Sequence, residues 1–232
     1  MSQWNDFPHD TTAFEYAGDD LLNAWPDLHR GDCAVYPDTE WVEQTLADYP
    51  DAAPDSYDGD NDALAATIQD AWRSYHSGDF QQATELADQC GYLAHAVANK
   101  ATGIYATYLE PDESKKQALF LAAVERAEAA IEILPDDPNS HYFHAFNLGR
   151  YSQSISIVKA LSQGIGGKIQ TSLQNALDLE PGHAEASAAM GMYHAEVVSK
   201  VGKMLAKMTY GATAGKAIQY FDQALELTPG SP

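Results

Sequence analysis

The residues whose types and spacing come nearest to chemistry are two Gly-Lys pairs, a pair of histidines and several pairs of acids. Gly166-Gly167-Lys168 suggests a phosphate-cradling loop. That loop needs G-x-x-x-x-G-K-[ST], because its glycines let backbone amides reach the phosphates and its hydroxyl binds magnesium. Here Ser162 stands at the first glycine position and Ile169 follows the lysine. Gly215-Lys216 fails in the same way, with Tyr210 and Ala217 at those places. Both pairs read as tight turns into a helix. His141 and His144 stand at i, i+3, where two side chains of one helix can meet. Zinc needs about four ligands. No cysteine lies near this pair in sequence, the nearest acids Asp136 and Asp137 fall in a loop-like stretch before it, and His183 and His194 are distant helpers at best, so no metal site is expected. Asp19-Asp20 and Asp136-Asp137 fall in loop-like stretches, where carboxylates stay solvated and their pKa values are not driven apart. No Ser/His/Asp or Cys/His triad follows from spacing. The sequence therefore predicts neither an enzyme nor a cofactor.

Charge narrows the partners. The 232 residues hold 34 acids and 13 Lys or Arg, a net charge of −21, which argues against nucleic acid because phosphate binding needs a basic footprint. Residues 1–62 carry 16 acids and only Arg30 as a base. Two cysteines, Cys33 and Cys90, make no disulfide framework. No apolar run reaches the length of a membrane span, and Met1-Ser-Gln-Trp-Asn-Asp6 is no secretory signal. A cytoplasmic location is the expectation.

These residues must be positioned by helices, since strand signals are almost absent after residue 62. Three segments end alike: Ala130-Ile-Glu-Ile-Leu-Pro135, Ala176-Leu-Asp-Leu-Glu-Pro181 and Ala224-Leu-Glu-Leu-Thr-Pro229. A proline just past the last apolar residue stops a helix, because it lacks the N–H and restricts the residue before it. Small or aliphatic residues precede each proline by twelve (Ala123, Ile169, Ala217) and by eight (Ala127, Leu173, Phe221), so one buried stripe is written three times. The expected first helices run from Pro138 to about Gln163 and from Ala184 to about Met208. Lys200, Lys203 and Lys207 would share one face of the latter, with Val197, Val201, Met204, Leu205 and Met208 on the other. That basic face is read as solvated or as a dock for the acidic N-terminal segment. The N-terminal residues, unlike those of a disordered tail, include Trp4, Phe7, Phe14, Tyr16, Trp25, Tyr36 and Trp41. They are read as an arm laid on the rest, extended except for one helix over Thr39–Asp48 capped by Thr39.

Ala71-Trp72-Arg-Ser-Tyr75-His-Ser-Gly78-Asp-Phe80-Gln-Gln-Ala83 resembles the helix–turn–helix of a tetratricopeptide repeat, with Gly78-Asp79 as the turn. Ala184 to Tyr193 resembles the first helix of another, with Gly191 where two helices approach closely. The spacing of 46 and 48 residues between the prolines exceeds the usual ~34. Elongated repeats of this kind resemble those of the regulator-of-microtubule-dynamics family and of the tetratricopeptide component of TRAP-type transporters. The second resemblance implies a lipidated, ligand-binding protein; here Cys33 follows His29-Arg-Gly-Asp and not the apolar run of a lipidation site.

The expected architecture is all-α, a tetratricopeptide-like solenoid of helical hairpins over 62–232 preceded by an acidic arm over 1–61. The last helix, Lys216 to Leu227, shows an apolar face that a further segment, a second copy or the arm would cover; a truncated C-terminus is favoured. The resemblance implies an inner face lined by first helices. Projected onto it are Trp72, Tyr75 and His76, then Asn139, Tyr142, Phe146 and Arg150, then Glu185, Met192 and Glu196. Arg150 and Glu196 occupy equivalent slots and are candidates to pair with each other. Two functions suit this face: a non-catalytic scaffold that binds a protein segment, and a binding protein for a small ligand held between long helices. An apolar pocket of several hundred cubic ångströms with convergent polar groups would favour the second.

Overall fold

In a computed structural model, which describes residues 3–230, each of the three repeated prolines ends a helix where the sequence predicts. The helices stop at Ile133, Leu179 and Leu227, and the next residue returns its N–H to the carbonyl of Ala130, Ala176 or Ala224. After Pro135 and Pro181 the chain reverses at once. Asp137 caps a helix that opens on Pro138, and His183 Nδ1 accepts from the Ala186 N–H to open another at Ala184.

The chain forms α1 (Asp20–Leu28), α2 (Thr39–Asp48), α3 (Asn61–His76), α4 (Phe80–Ala87), α5 (His95–Tyr108) and α6 (Glu113–Ile133). It continues with α7 (Pro138–Gln153), α8 (Ile157–Ser162), α9 (Ile165–Leu179), α10 (Ala184–Val201), α11 (Lys203–Tyr210) and α12 (Ala214–Leu227). No strand occurs among the described residues. From α3 onward the long helices pack in series, α3 on α4, α4 on α5, α5 on α6, α6 on α7, α7 on α9, α9 on α10 and α10 on α12. The turn between α3 and α4 is Gly78-Asp79, with Asp79 capping Gln82. A Cβ on Gly191 would sit 2.8 Å from the Phe221 ring, so the close approach of α10 and α12 requires glycine there.

Three expectations are corrected. First, the extra residues of each repeat do not lengthen the first helices. α7 has 16 residues and α10 has 18, or ~24 and ~27 Å at 1.5 Å per residue. The additions form the separate short helices α8 and α11. The α10–α11 break falls at Gly202, whose φ of +84° lies in the region that favours glycine. Lys200 thus lies on a different helix from Lys203 and Lys207, and the single basic face does not exist.

Second, the arm is more helical than expected. α1 buries Leu21 and Trp25 at i, i+4, and α2 buries Val42, all in the core built by α3 to α5. α2 is capped by Asp38, while the Thr39 hydroxyl donates to Asp62. Third, the arm docks over α3 to α5 and the starts of α7 and α10, and not on the lysines near position 200. It leaves Ile218 and Leu225 of α12 exposed. Met1, Ser2, Ser231 and Pro232 lie outside the described residues, and with them the outermost parts of the leader and chain-end readings.

Candidate functional site

The Gly-Lys pairs lie inside helices and not in the turns expected of them, which fall just before, at Gly164 and Gly211. Gly167-Lys168 lies in the first turn of α9 and Gly215-Lys216 in the first turn of α12. The histidines separate. His141 Nε2 meets the Pro135 carbonyl at 3.0 Å, and His144 Nδ1 meets Ser172 Oγ at 2.7 Å. His183 caps α10, and His194 stacks on Tyr220 at 5.6 Å. Among the described residues no three His, Cys, Asp or Glu side chains gather as metal ligands would.

The ten residues projected onto the inner face divide into two groups. Trp72, Tyr75, His76 and Asn139 lie under the arm. Trp72 is buried against Trp25 and His29, with ring centroids at 5.4 and 4.5 Å, and Tyr75 packs edge-on to Trp72. His76 lies between Tyr16 and His29. Burial, with His29 and Lys100 nearby, pushes its pKa down to about 3. Asn139 Nδ2 donates to the Asp32 carbonyl at 3.0 Å.

A polar hook at residues 29–33 holds the arm there. The Asp32 carboxylate, 1% exposed, accepts from Lys100 at 2.5 Å and meets His29 Nδ1 at 2.9 Å. Burial alone would raise its pKa, but the Lys100 charge and the His29 hydrogen bond outweigh that and hold it below the carboxylate range. Lys100 is raised, because Asp32 and Glu185 outweigh its own burial. The Glu185 N–H donates to the Gly31 carbonyl at 2.9 Å, and Cys33 Sγ lies 3.4 Å from the Gly182 carbonyl. Sequence reasoning missed this hook. Its partners lie 68 and more residues away, and its only local signal was the i, i+3 spacing of His29 and Asp32.

The other six, Tyr142, Phe146, Arg150, Glu185, Met192 and Glu196, line one groove of ≈580 Å³. α7 and α10 supply these walls, Ile169 and Leu173 of α9 the floor, and Ile157 and Leu161 of α8 with Tyr210 of α11 the mouth. The positions follow from helix geometry: Tyr142, Phe146 and Arg150 are spaced i, i+4, i+8, so they share one face of α7. Most of the surface is apolar, with Ala145, Ala188, Ala189, Val197 and Val201 among its walls. Small residues on both long helices leave the space open. Gly149 also lines it, and a Cβ there would meet nothing within 4 Å.

Polar groups converge at one end. Arg150 lies over the Phe146 ring at 5.5 Å and near Gln153 Oε1 at 3.4 Å. Gln153 Nε2 donates to Glu196 at 2.7 Å, and Lys200 donates to the same carboxylate at 3.0 Å. The expected Arg150–Glu196 pair is therefore bridged through Gln153. At the other end, burial and the Glu185 carboxylate raise the Tyr142 pKa well above its usual value, so this hydroxyl stays protonated and serves as a donor. The groove has the dimensions and mixed chemistry of a ligand site: apolar walls, with polar groups fixed at the ends. Gln153, Tyr193 and Val197 were not among the projected residues, although the spacing Glu185, Met192, Glu196 contains the register that finds Tyr193 and Val197.

No curated protein sequence matches the chain. The model of one protein family does match, over residues 65–231, which span α3 to α12 apart from the start of α3. The other two resemblances rest on sequence motifs alone. The chain belongs to the family described as regulator of microtubule dynamics protein 1-3.

Proposed function

We propose that this protein is a non-catalytic binding module whose α7–α10 groove holds one elongated apolar ligand with an anionic end. The observation that carries the reading is the groove itself. A volume of ≈580 Å³ falls in the range of about 300–1,000 Å³ that small-ligand sites occupy. Its walls offer apolar contact along their length. Arg150 faces no carboxylate among the described residues and supplies a guanidinium where the polar end would lie.

A fluorescent long-chain fatty acid is the probe. It binds the protein with an enhanced signal, and unlabelled palmitate displaces it. Gly149→Trp fills the groove where there is room and replaces a helical glycine. It abolishes binding without lowering the melting temperature. Arg150→Leu weakens carboxylate ligands more than the matching alcohols. No binding by the unmodified protein overturns the reading, and so does binding that Gly149→Trp leaves intact.

The family description, with its regulation of microtubule dynamics, favours a second reading in which a protein segment lies in the same groove. Such a segment would be an amphipathic helix with anchors at i, i+3 or i+4, and i+7. It is distinguished by retention of a purified partner peptide where fatty acid gives no signal.

A further inference from the structure

Two short helices at the mouth of the groove are built the wrong way round for water. On α11, Ala206 is buried against the bundle. At about 100° per residue Met204 and Met208 stand roughly opposite it, with Lys207 and Lys203 to one side and Leu205 to the other. Met204 is 78% exposed and Met208 79%, so the outermost ridge of this helix is apolar. α8 repeats the arrangement at the equivalent point of the preceding unit: Val158 is 73% exposed beside Ile157 and Leu161, with Lys159 next to it. Solvent-facing helices ordinarily place charge there and apolar residues inward. The two helices lie at one end of the bundle, since the Gln153–Glu196 bond joins the end of α7 to α10 and Tyr210 packs on Gly166 at the start of α9.

The charge at this end also departs from the rest of the chain. Residues 138–177 and 197–221 contain no Asp or Glu, although the protein has 34. Arg150, Lys159, Lys203, Lys207 and Lys216 lie in these stretches, and none of them pairs with a carboxylate among the described residues. Lys168 and Lys200 of the same stretches pair with Glu128 and Glu196. Elsewhere Arg30, Arg73, Lys100, Lys116 and Arg126 are paired, and Lys115 is not among the ion pairs of the described residues.

From this geometry we infer that α8 and α11 form a docking surface for an anionic membrane, with Val158, Met204 and Met208 entering the lipid and the lysines meeting headgroups. Apolar side chains on an outer ridge flanked by lysines are the pattern of an interfacial helix. Four unpaired lysines outside the groove, Lys159, Lys203, Lys207 and Lys216, supply the second attraction that stable attachment needs. A second copy packed face to face on this surface fits less well, because it would bring the two sets of lysines together. The inference goes beyond the groove and stands whether or not a ligand fills it.

The test is flotation of the purified protein with vesicles of phosphatidylcholine alone and of phosphatidylcholine mixed equally with phosphatidylglycerol. The expected result is flotation with the anionic vesicles only, falling as salt rises. Met204→Glu/Met208→Glu and Lys203→Glu/Lys207→Glu each weaken it by more than about tenfold. All four side chains are exposed, so circular dichroism confirms an unchanged fold. Val35→Glu changes an exposed apolar residue of the N-terminal arm and leaves flotation unchanged, as does the groove-filling Gly149→Trp. No flotation with anionic vesicles overturns the inference. Flotation that survives both double substitutions does so too, as does dimerisation through this face in place of vesicle binding.

Discussion

Lys100→Met tests how the arm is held. The substitution keeps most of the side-chain volume and removes the ammonium that faces Asp32 at 2.5 Å and Glu185 at 3.3 Å. Glu185 is partly exposed and recovers water. Asp32 is 1% exposed and does not. Its remaining partners are His29 Nδ1 and the Ala34 N–H, and the Asp32 carboxylate is left without the Lys100 ammonium. Removing one partner of a buried pair costs about 3–5 kcal/mol. Lys100 is 14% exposed, so the lower end of that range applies. About 3 kcal/mol is a large share of a typical total of roughly 5–15 kcal/mol. It lowers the melting temperature by about 6–12 °C for a chain of this size.

Urea unfolding followed by circular dichroism measures the loss, and limited proteolysis between residues 28 and 38 reports the arm. Asp32→Asn/Lys100→Met, which leaves no orphan charge, is expected to be more stable than Lys100→Met alone. A loss below about 1 kcal/mol refutes the reasoning, and so does strict additivity of the two substitutions.

Other outcomes follow from the same structure. Gly191→Val places side-chain atoms against the Phe221 ring, already 2.8 Å from an added Cβ, and destabilises by about 1–3 kcal/mol; an unchanged urea midpoint contradicts the α10–α12 approach. Stability falls as pH drops below about 6.5, the ordinary histidine value, because burial lowers His76, His144, His183 and His194 and the unfolded chain binds those protons first. The fall continues through the ordinary carboxylate range near 4, where the depressed Asp32 and Asp137 are protonated more readily in the unfolded chain. Thermal melts from pH 7 to 4 read this slope, and His76→Gln flattens its upper part. A flat profile contradicts the burial of these rings.

The serial hairpins were legible because a proline punctuates each one in the same phase. Pro135, Pro181 and Pro229 fix where helices end, and the apolar residues eight and twelve positions earlier fix which face is inward. The same register put Tyr142, Phe146 and Arg150 on one face with Glu185, Met192 and Glu196, six of the 25 residues that line the groove. The breaks were not legible. A single glycine such as Gly202 is tolerated inside a helical pattern, and Ser154–Ser156 differs little from an ordinary polar helix turn. α1 was hidden by its acids and by Pro26, although Leu21 and Trp25 carried an i, i+4 signal. Where the arm docks depends on Asp32 finding Lys100 across 68 residues, and no local pattern encodes such a pairing. That docking covers Trp72, Tyr75, His76 and Asn139, which a register argument alone leaves open.

Hydrogen–deuterium exchange with and without palmitate tests the groove most directly. The predicted result is slowed exchange confined to residues 142–153 of α7, 165–173 of α9 and 188–201 of α10, absent in Gly149→Trp. Protection spread over the arm and α3 to α5, or no protection at saturating ligand, would contradict it.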